Sequence, residues 1–93
     1  MISPKIKAYV GFAIKSGEVL IGVDNLKKKK LYLILYSSGL SDNAKEKCFN
    51  IAYQNKILAK ELPDDDMIEL MNGGVKVLGI SSKSLAEAII NNF

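Results

Sequence analysis

The chain has 93 residues, which is enough for one domain, since a typical domain uses roughly 100 to 200 residues. Its composition, 48% hydrophobic and 25% charged, is that of a globular protein, and its longest apolar run, Leu31 to Tyr36, is far shorter than the roughly 20 residues of a membrane span. All 13 basic residues are lysines and histidine is absent, which excludes histidine acid–base catalysis, histidine metal sites and arginine clamps. We therefore expect a single domain over residues 1–93.

The lysines are unevenly distributed along the chain. Residues 1–47 contain nine lysines and four acidic residues, a net charge of +5, whereas residues 48–93 contain four lysines and six acidic residues, a net charge of −2. The first half includes the run Lys27 to Lys30, whose ammonium groups must reach water or an anion. Such a run is either a solvated turn or a surface that contacts phosphates, and both interpretations stay open.

The first half of the chain predicts a helix and two strands. Ser3 is a suitable N-cap with Pro4 at the first helical position, and the residues that follow carry apolar side chains at helical spacing. Residues 18–21 form a short predicted strand, and the polar segment 23–30 has room for one or two helical turns. The apolar run 31–36 shows no alternation, which predicts a central strand covered by helices on both faces.

The second half of the chain continues the alternation of predicted helices and strands. Ser41 is the predicted N-cap of a helix that runs to about Asn55, with Cys48 in its buried stripe. The remaining predicted elements are a strand at 57–62, a short helix begun by Pro63, a strand at 75–80, and a last helix with a capping box of Ser84 and Glu87. This order predicts a three-layer α/β/α sandwich.

No arrangement typical of an active site is present. Cys48 is predicted to be a core residue, and the three consecutive carboxylates 64–66 point about 100° apart, so they cannot converge on one cation. We expect them to be solvated and to stabilise a helix N-terminus. Gly22 and the pair Gly73-Gly74 are too isolated to form a phosphate-binding loop. The sequence therefore predicts no catalytic residue, no metal site and no cofactor.

The segments 11–17, 19–22, 31–35, 41–48 and 75–88 follow one another in an order and spacing that resemble a known family. The chain is similar to the kink-turn RNA-binding ribosomal proteins of the seven-Ae and thirty-e type, and most closely to their small bacterial YlxQ-like members. This resemblance implies an α/β/α sandwich with a four-stranded mixed sheet. It also implies binding to the bulged, sharply bent kink-turn of structured RNA.

The resemblance also implies a set of RNA-contacting residues. In the family, a Gly-x-Asn-Glu-x-x-Lys motif at the start of the second helix reads the base pairs of the bend, and the loop before the last strand supports an extruded nucleotide. The positions that match the motif here are Gly22, Asp24, Asn25 and Lys28, and those that match the loop are Asn72, Gly73, Gly74 and Val75. As phosphate contacts we add Lys15, Lys27, Lys29 and Lys30.

The chain departs from the family pattern in four places. Asp24 stands where the motif has Asn, Asn25 stands where it has Glu, Glu18 occupies a position that is usually basic, and the stretch 22–31 is several residues shorter. These departures favour an alternative hypothesis, a protein-interaction or scaffold module that retains the fold but has lost specific RNA recognition.

The leading hypothesis is a non-catalytic, monomeric, cytoplasmic RNA-binding protein. We expect its partner to be structured RNA, either a kink-turn or ribosomal RNA, with ribosomal proteins as further partners and no membrane. Cytoplasmic location fits the lone Cys48, which cannot form an intrachain disulfide, and the start of the chain, which lacks the apolar segment of a secretory signal.

Overall fold

A computed structural model of the chain describes residues 2–71 and 73–93. In this part of the chain the α-helices are α1 (Pro4–Lys15), α2 (Asp42–Asn55), α3 (Asp64–Leu70) and α4 (Lys83–Ile90). The strands are β1 (Val19–Ile21), β2 (Leu33–Ser37), β3 (Leu58–Leu62) and β4 (Val77–Ile80), and a single 3-10 turn, Val23–Asn25, follows β1. The order is as predicted, although each strand begins one or two residues later than expected.

Serine side chains cap the N-termini of α1 and α2, as predicted. Ser3 Oγ accepts a hydrogen bond from the N–H of Lys5 at 3.2 Å, and Ser41 Oγ accepts one from the N–H of Ala44 at 3.3 Å. No helix in the described part of the chain is both long and apolar enough to cross a membrane.

The last helix begins two residues earlier than predicted, with Ser82 rather than Ser84 as its N-cap. Ser82 Oγ accepts a hydrogen bond from the N–H of Leu85 at 3.3 Å, and the Ser82 carbonyl oxygen accepts the first helical bond from Ala86 at 2.9 Å. Because β4 ends at Ile80, Ser82 is still in the extended conformation that an N-cap requires. Ser84 is instead an exposed residue of the first turn.

The four strands form one mixed sheet in the order β1-β4-β2-β3. Strand β4 pairs antiparallel with both β1 and β2, whereas β2 and β3 pair parallel. All five residues of the interior strand β2 are buried, which confirms the prediction of a central strand from an unbroken apolar run. Strand β3 lies at the sheet edge and is mostly exposed.

Alternate residues of β2 face two separate apolar layers. Leu33 and Leu35 pack with buried residues of α1, α3 and α4 on one face of the sheet. Ile34 and Tyr36 pack on the other face with α2 and with Leu26 from the segment after the 3-10 turn. The sheet is therefore covered on both faces, and the fold is the predicted three-layer α/β/α sandwich.

The acidic residues at the start of α3 are less solvated than predicted. Asp66 is only 9% exposed, and the Asp64 carboxylate accepts hydrogen bonds from the Ser37 hydroxyl and, at 2.9 Å, from the N–H of Gly39. The cause is topological: β2 and β3 are parallel, so the start of α3 after β3 lies beside the loop that follows β2. Asp65 is exposed as expected, and Asp64 is exposed as well although it accepts these two hydrogen bonds.

Candidate nucleic-acid interface

The turn that follows β1 lies against the start of β4. Ile21 is aligned with Leu78 in the antiparallel pair, and the N–H of Gly22 donates to the carbonyl oxygen of Val77 at 3.0 Å. Gly22 has a φ of 86°, a left-handed value that glycine adopts with little strain. Gly22 is thus at the same end of the sheet as the segment 73–76 that leads into β4.

The segment leading into β4 presents exposed main chain at this end. Gly73 and Gly74 are exposed, with φ values of 87° and 74°, and a Cβ atom at either would meet nothing within 4 Å. Val75 follows them and is half-buried. Asn72, which was predicted to act with these residues, lies outside the described residues. Main-chain groups here are accessible to a ligand.

Asn25 uses one of its two amide N–H donors inside the protein. Its Nδ2 donates to the carbonyl oxygen of Ile21 at 2.7 Å, and its backbone N–H donates to the carbonyl oxygen of Gly22 at 3.1 Å. Both bonds close the 3-10 turn. The second N–H of Asn25 Nδ2 and the side-chain oxygen are left for contact with a ligand, as a donor and an acceptor. The neighbouring Asp24 is exposed.

Part of the lysine run lies at the opposite end of the sheet. Lys29 Nζ donates to the carbonyl oxygen of Gly17 at 3.0 Å, and Lys30 Nζ lies 5.6 Å from the centre of the Tyr32 ring. Gly17 precedes β1 and Tyr32 precedes β2, and these two strands run in the same direction. Lys15, the last residue of α1, is at this end as well.

The structure thus divides the predicted site into two groups. Strand β1 is three residues long, so about 10 Å of strand separates its two ends. Exposed Lys27 and Lys28 lie on the segment that connects the ends. At one end are Gly22, Asn25, Gly73, Gly74 and Val75, and at the other are Lys15, Lys29 and Lys30.

A groove lies between the segment after β1 and helix α2, with a volume of about 360 Å³. Residues of the segment after β1 line one wall of the groove, and residues of α2 at helical spacing line the other. The sequence alone does not reveal the α2 wall, because the spacing marks one helix face but does not show that the 3-10 turn packs beside it. The lining residues are Val23, Asp24, Lys27, Lys47, Asn50, Ile51 and Gln54.

The two lysines of the groove are free to meet an anion. Within residues 2–71 and 73–93, no carboxylate oxygen lies within 4 Å of Lys27 Nζ or Lys47 Nζ. Lys45, in contrast, forms an ion pair with Glu61 at 3.2 Å. The two ammonium groups on opposite walls of the groove are therefore outside any ion pair with the described residues, although the Asp24 carboxylate lines the same groove.

The one thiol of the chain is not available for chemistry. Cys48 has 0% exposure, and burial raises the pKa of its thiol, so it is protonated at neutral pH. Its predicted core position is confirmed. Among the described residues there is also no group of three or more acidic or cysteine side chains that could hold a metal ion.

Comparisons with known proteins identify the fold and nothing beyond it. No protein-family model matches the chain, and no curated protein matches it either. A solved structure of a protein with unknown function from Bacillus halodurans C is similar, with a TM-score of 0.78 and 17% identity over 96% of each chain. At this level of identity, the similarity shows a shared fold over nearly the whole length.

Proposed function

We propose that this protein is a non-catalytic, cytoplasmic RNA-binding protein that binds structured RNA. The observation that carries the proposal is the hydrogen bond from the N–H of Gly22 to the carbonyl oxygen of Val77. It holds the half-buried turn after β1 at the end of the sheet where Gly73 and Gly74 present exposed main chain. Shape-dependent recognition of folded RNA relies on such backbone and phosphate contacts.

The charge next to this end supports the proposal. Lys27 and Lys47 are exposed in the groove beside the turn and form no ion pair with any residue that the structure describes, and the adjacent Lys28 is exposed as well. Lysine binds phosphate as a point charge and lacks the planar fork of arginine, so affinity would depend on backbone shape more than on base edges. The sequence resemblance favours a kink-turn, in ribosomal or another structured RNA, as the bent shape that is recognised.

A mobility-shift titration with a kink-turn RNA and with a regular duplex of equal length tests this proposal. We expect tighter binding to the kink-turn, and weaker binding to both RNAs when salt is raised from about 50 to about 200 mM. Replacing Lys27 and Lys47 together by Gln should weaken binding and make it less dependent on salt. Equal affinity for the bent and the regular RNA would exclude kink-turn recognition.

The matched control replaces two lysines that are remote from the groove. Lys5 is in the first turn of α1 and Lys83 begins α4, both in the helical layer on the opposite face of the sheet. Their double replacement by Gln removes the same charge and should leave kink-turn affinity nearly unchanged. If the control weakens binding as much as the groove variant does, net charge alone is responsible.

The second candidate is a protein-interaction module, and exposed aromatic residues on α2 favour it. Tyr53 is 86% exposed and Phe49 is 48% exposed, one helical turn apart. Exposed aromatic side chains are enriched at protein–protein contacts. This candidate predicts a defined partner that stays bound after ribonuclease treatment and is lost when Tyr53 is replaced by Ser. The RNA-binding proposal predicts that the Tyr53 variant retains RNA affinity.

A further inference from the structure

The groove between the 3-10 turn and α2 has polar side chains of three kinds. Lys27 and Lys47 can only donate hydrogen bonds, the Asp24 carboxylate can only accept them, and the amides of Asn50 and Gln54 can do both. Within the described residues, none of these five side chains forms a hydrogen bond or an ion pair with another part of the protein. All of them are therefore available to a ligand.

The size and apolar surface of the groove limit the ligand. Its volume of about 360 Å³ is at the lower end of the range of roughly 300 to 1,000 Å³ that small-molecule sites occupy. Buried Ile51 and half-buried Val23 supply apolar surface between the polar groups. A ligand of one ring system with an anionic group matches these dimensions, whereas a base pair is too large.

The charges of the groove select among the nucleotides. The ammonium groups attract a phosphate, which every nucleotide has, so they do not discriminate. The Asp24 carboxylate does discriminate among nucleotides, because its two oxygens can accept hydrogen bonds from two adjacent N–H donors of a base. Among unpaired bases, only guanine carries such a pair, its N1–H and its exocyclic amine. Adenine and cytosine would each direct a ring-nitrogen lone pair toward the carboxylate, and uracil has one donor between two carbonyl oxygens.

We propose that this groove binds a single guanine nucleotide, with Asp24 accepting from the base and Lys27 and Lys47 contacting the phosphate. The nucleotide is either an unpaired guanosine in an RNA chain or a free guanine nucleotide, since the two present the same groups. The first source rests on the proposed RNA-binding function. The second does not, because it concerns only the groove.

Two titrations distinguish the sources. In the first, GMP, AMP, CMP and UMP are titrated into the protein while the amide NMR signals of the groove residues are followed. In the second, a short oligouridine with one central guanosine is compared with the all-uridine strand. Binding of GMP assigns the site to free guanine nucleotides. Guanosine-dependent binding of the oligonucleotide without GMP binding assigns it to RNA.

A preference for guanine of about tenfold over adenine is expected in whichever titration shows binding. Replacing Asp24 by Asn should remove this preference, because the amide offers one acceptor and one donor. Asp42→Asn is the matched control, since Asp42 is an exposed carboxylate in the first turn of α2 and outside the groove. Lys47→Gln should weaken all nucleotides alike.

The inference is overturned if neither GMP nor the guanosine-containing strand binds, if guanine and adenine bind equally, or if Asp24→Asn keeps the preference. These outcomes are separate from the fate of the RNA proposal, which is measured with kink-turn RNA. GMP binding without kink-turn binding would retain the groove site and reject the proposed function. Kink-turn binding without any preference for guanine would retain the proposed function and reject the groove site.

Discussion

The Asp64 carboxylate, at the first position of α3, accepts a hydrogen bond at 2.9 Å from the backbone N–H of Gly39 in the loop after β2. The same oxygen accepts from the hydroxyl of Ser37, the last residue of β2. A Cβ atom at position 39 would lie 2.8 Å from Asp64 Oδ2, so the contact depends on a glycine. It joins the ends of two parallel strands at the end of the sheet that also holds Gly22.

Replacing Asp64 by Ala should destabilise the protein. The change leaves the Gly39 N–H and the Ser37 hydroxyl without their acceptor, and we expect the free energy of unfolding to fall by about 1–3 kcal/mol. Urea denaturation measures it. Asp65→Ala is the control, because it removes an exposed carboxylate from the next position of the same helix. Similar losses in both variants would mean that charge at the helix N-terminus, rather than the Asp64 contact, is responsible.

Gly79 should be intolerant of even the smallest side chain. It is an interior residue of β4, and a Cβ atom there would lie 2.8 Å from Leu31 Cδ2 and 2.9 Å from Leu26 Cδ2. These leucines fill the layer between the sheet and α2, so Gly79→Ala overpacks it. We expect a loss of about 1–3 kcal/mol in the free energy of unfolding, measured by urea denaturation.

Gly11→Ala is the matched control for Gly79→Ala, and we expect it to raise the free energy of unfolding rather than lower it. Gly11 lies inside α1, and a Cβ atom there would meet nothing within 4 Å. Alanine is favoured over glycine within a helix by about 0.5–1 kcal/mol, so this variant should be more stable than the natural protein. Destabilisation by Gly11→Ala, or tolerance of Gly79→Ala, would contradict the packing described for these two positions.

Local sequence signals predicted much of this fold because they act over a few residues. The unbroken apolar run predicted the buried strand β2, and Ser3 and Ser41 predicted two helix starts, since each interaction lies within one turn or one strand. The close packing of Gly79 has no such signal. It depends on Leu26 and Leu31, residues about 50 positions away in the chain that the fold brings together.

The candidate site was predictable only in part, for the same reason. The resemblance assigns the Gly22 turn and the Gly73-Gly74 segment to one set of RNA contacts, and the structure has both at one end of the sheet. The sequence shows the four lysines only as one continuous run, whereas in the structure Lys29 turns back to Gly17 at the other end of the sheet. The α2 wall of the groove could not be predicted, because helical spacing marks one face of α2 but does not show which other element packs beside it.

Ser82, the N-cap of α4, and Ser84, in its first turn, offer a direct test of where the helix begins. Ser82→Ala removes the hydroxyl that accepts from the N–H of Leu85, and we expect a loss of about 1 kcal/mol in the free energy of unfolding. Ser84→Ala changes an exposed residue of the first turn and should lower the free energy of unfolding clearly less than Ser82→Ala does. Thermal unfolding followed by circular dichroism compares the two. A larger loss of stability for Ser84→Ala would mean that Ser84 is the N-cap, as the sequence predicted.

Burial of Cys48 predicts slow reaction of its thiol. Its side chain is inaccessible and burial raises its pKa, so the native protein offers neither access nor thiolate to an alkylating reagent. Iodoacetamide at pH 8 should modify the native protein far more slowly than the protein in urea. Mass spectrometry measures both rates. Rapid modification of the native protein would contradict the burial and reopen a nucleophilic function.

The raised pKa of Cys48 also predicts a loss of stability at alkaline pH. Below the ordinary thiol pKa of 9.0 both the folded and the unfolded thiol are protonated, so the contribution is constant. Above that value the unfolded thiol releases its proton while the buried one keeps it. The free energy of unfolding should therefore fall as pH rises, by at most about 1.4 kcal/mol per pH unit.

Cys48→Ala isolates this effect from the other groups that titrate at high pH. Burial also raises the pKa of Tyr36, whose ordinary value is 10.0, but Tyr36 is present in both proteins, so the difference between their pH dependences between about pH 9 and 10 comes mostly from the thiol. Urea denaturation at several pH values should give a shallower decline for the variant, whatever its stability at pH 7. Parallel declines would mean that the thiol titrates alike in the folded and unfolded states, which a buried thiol does not do.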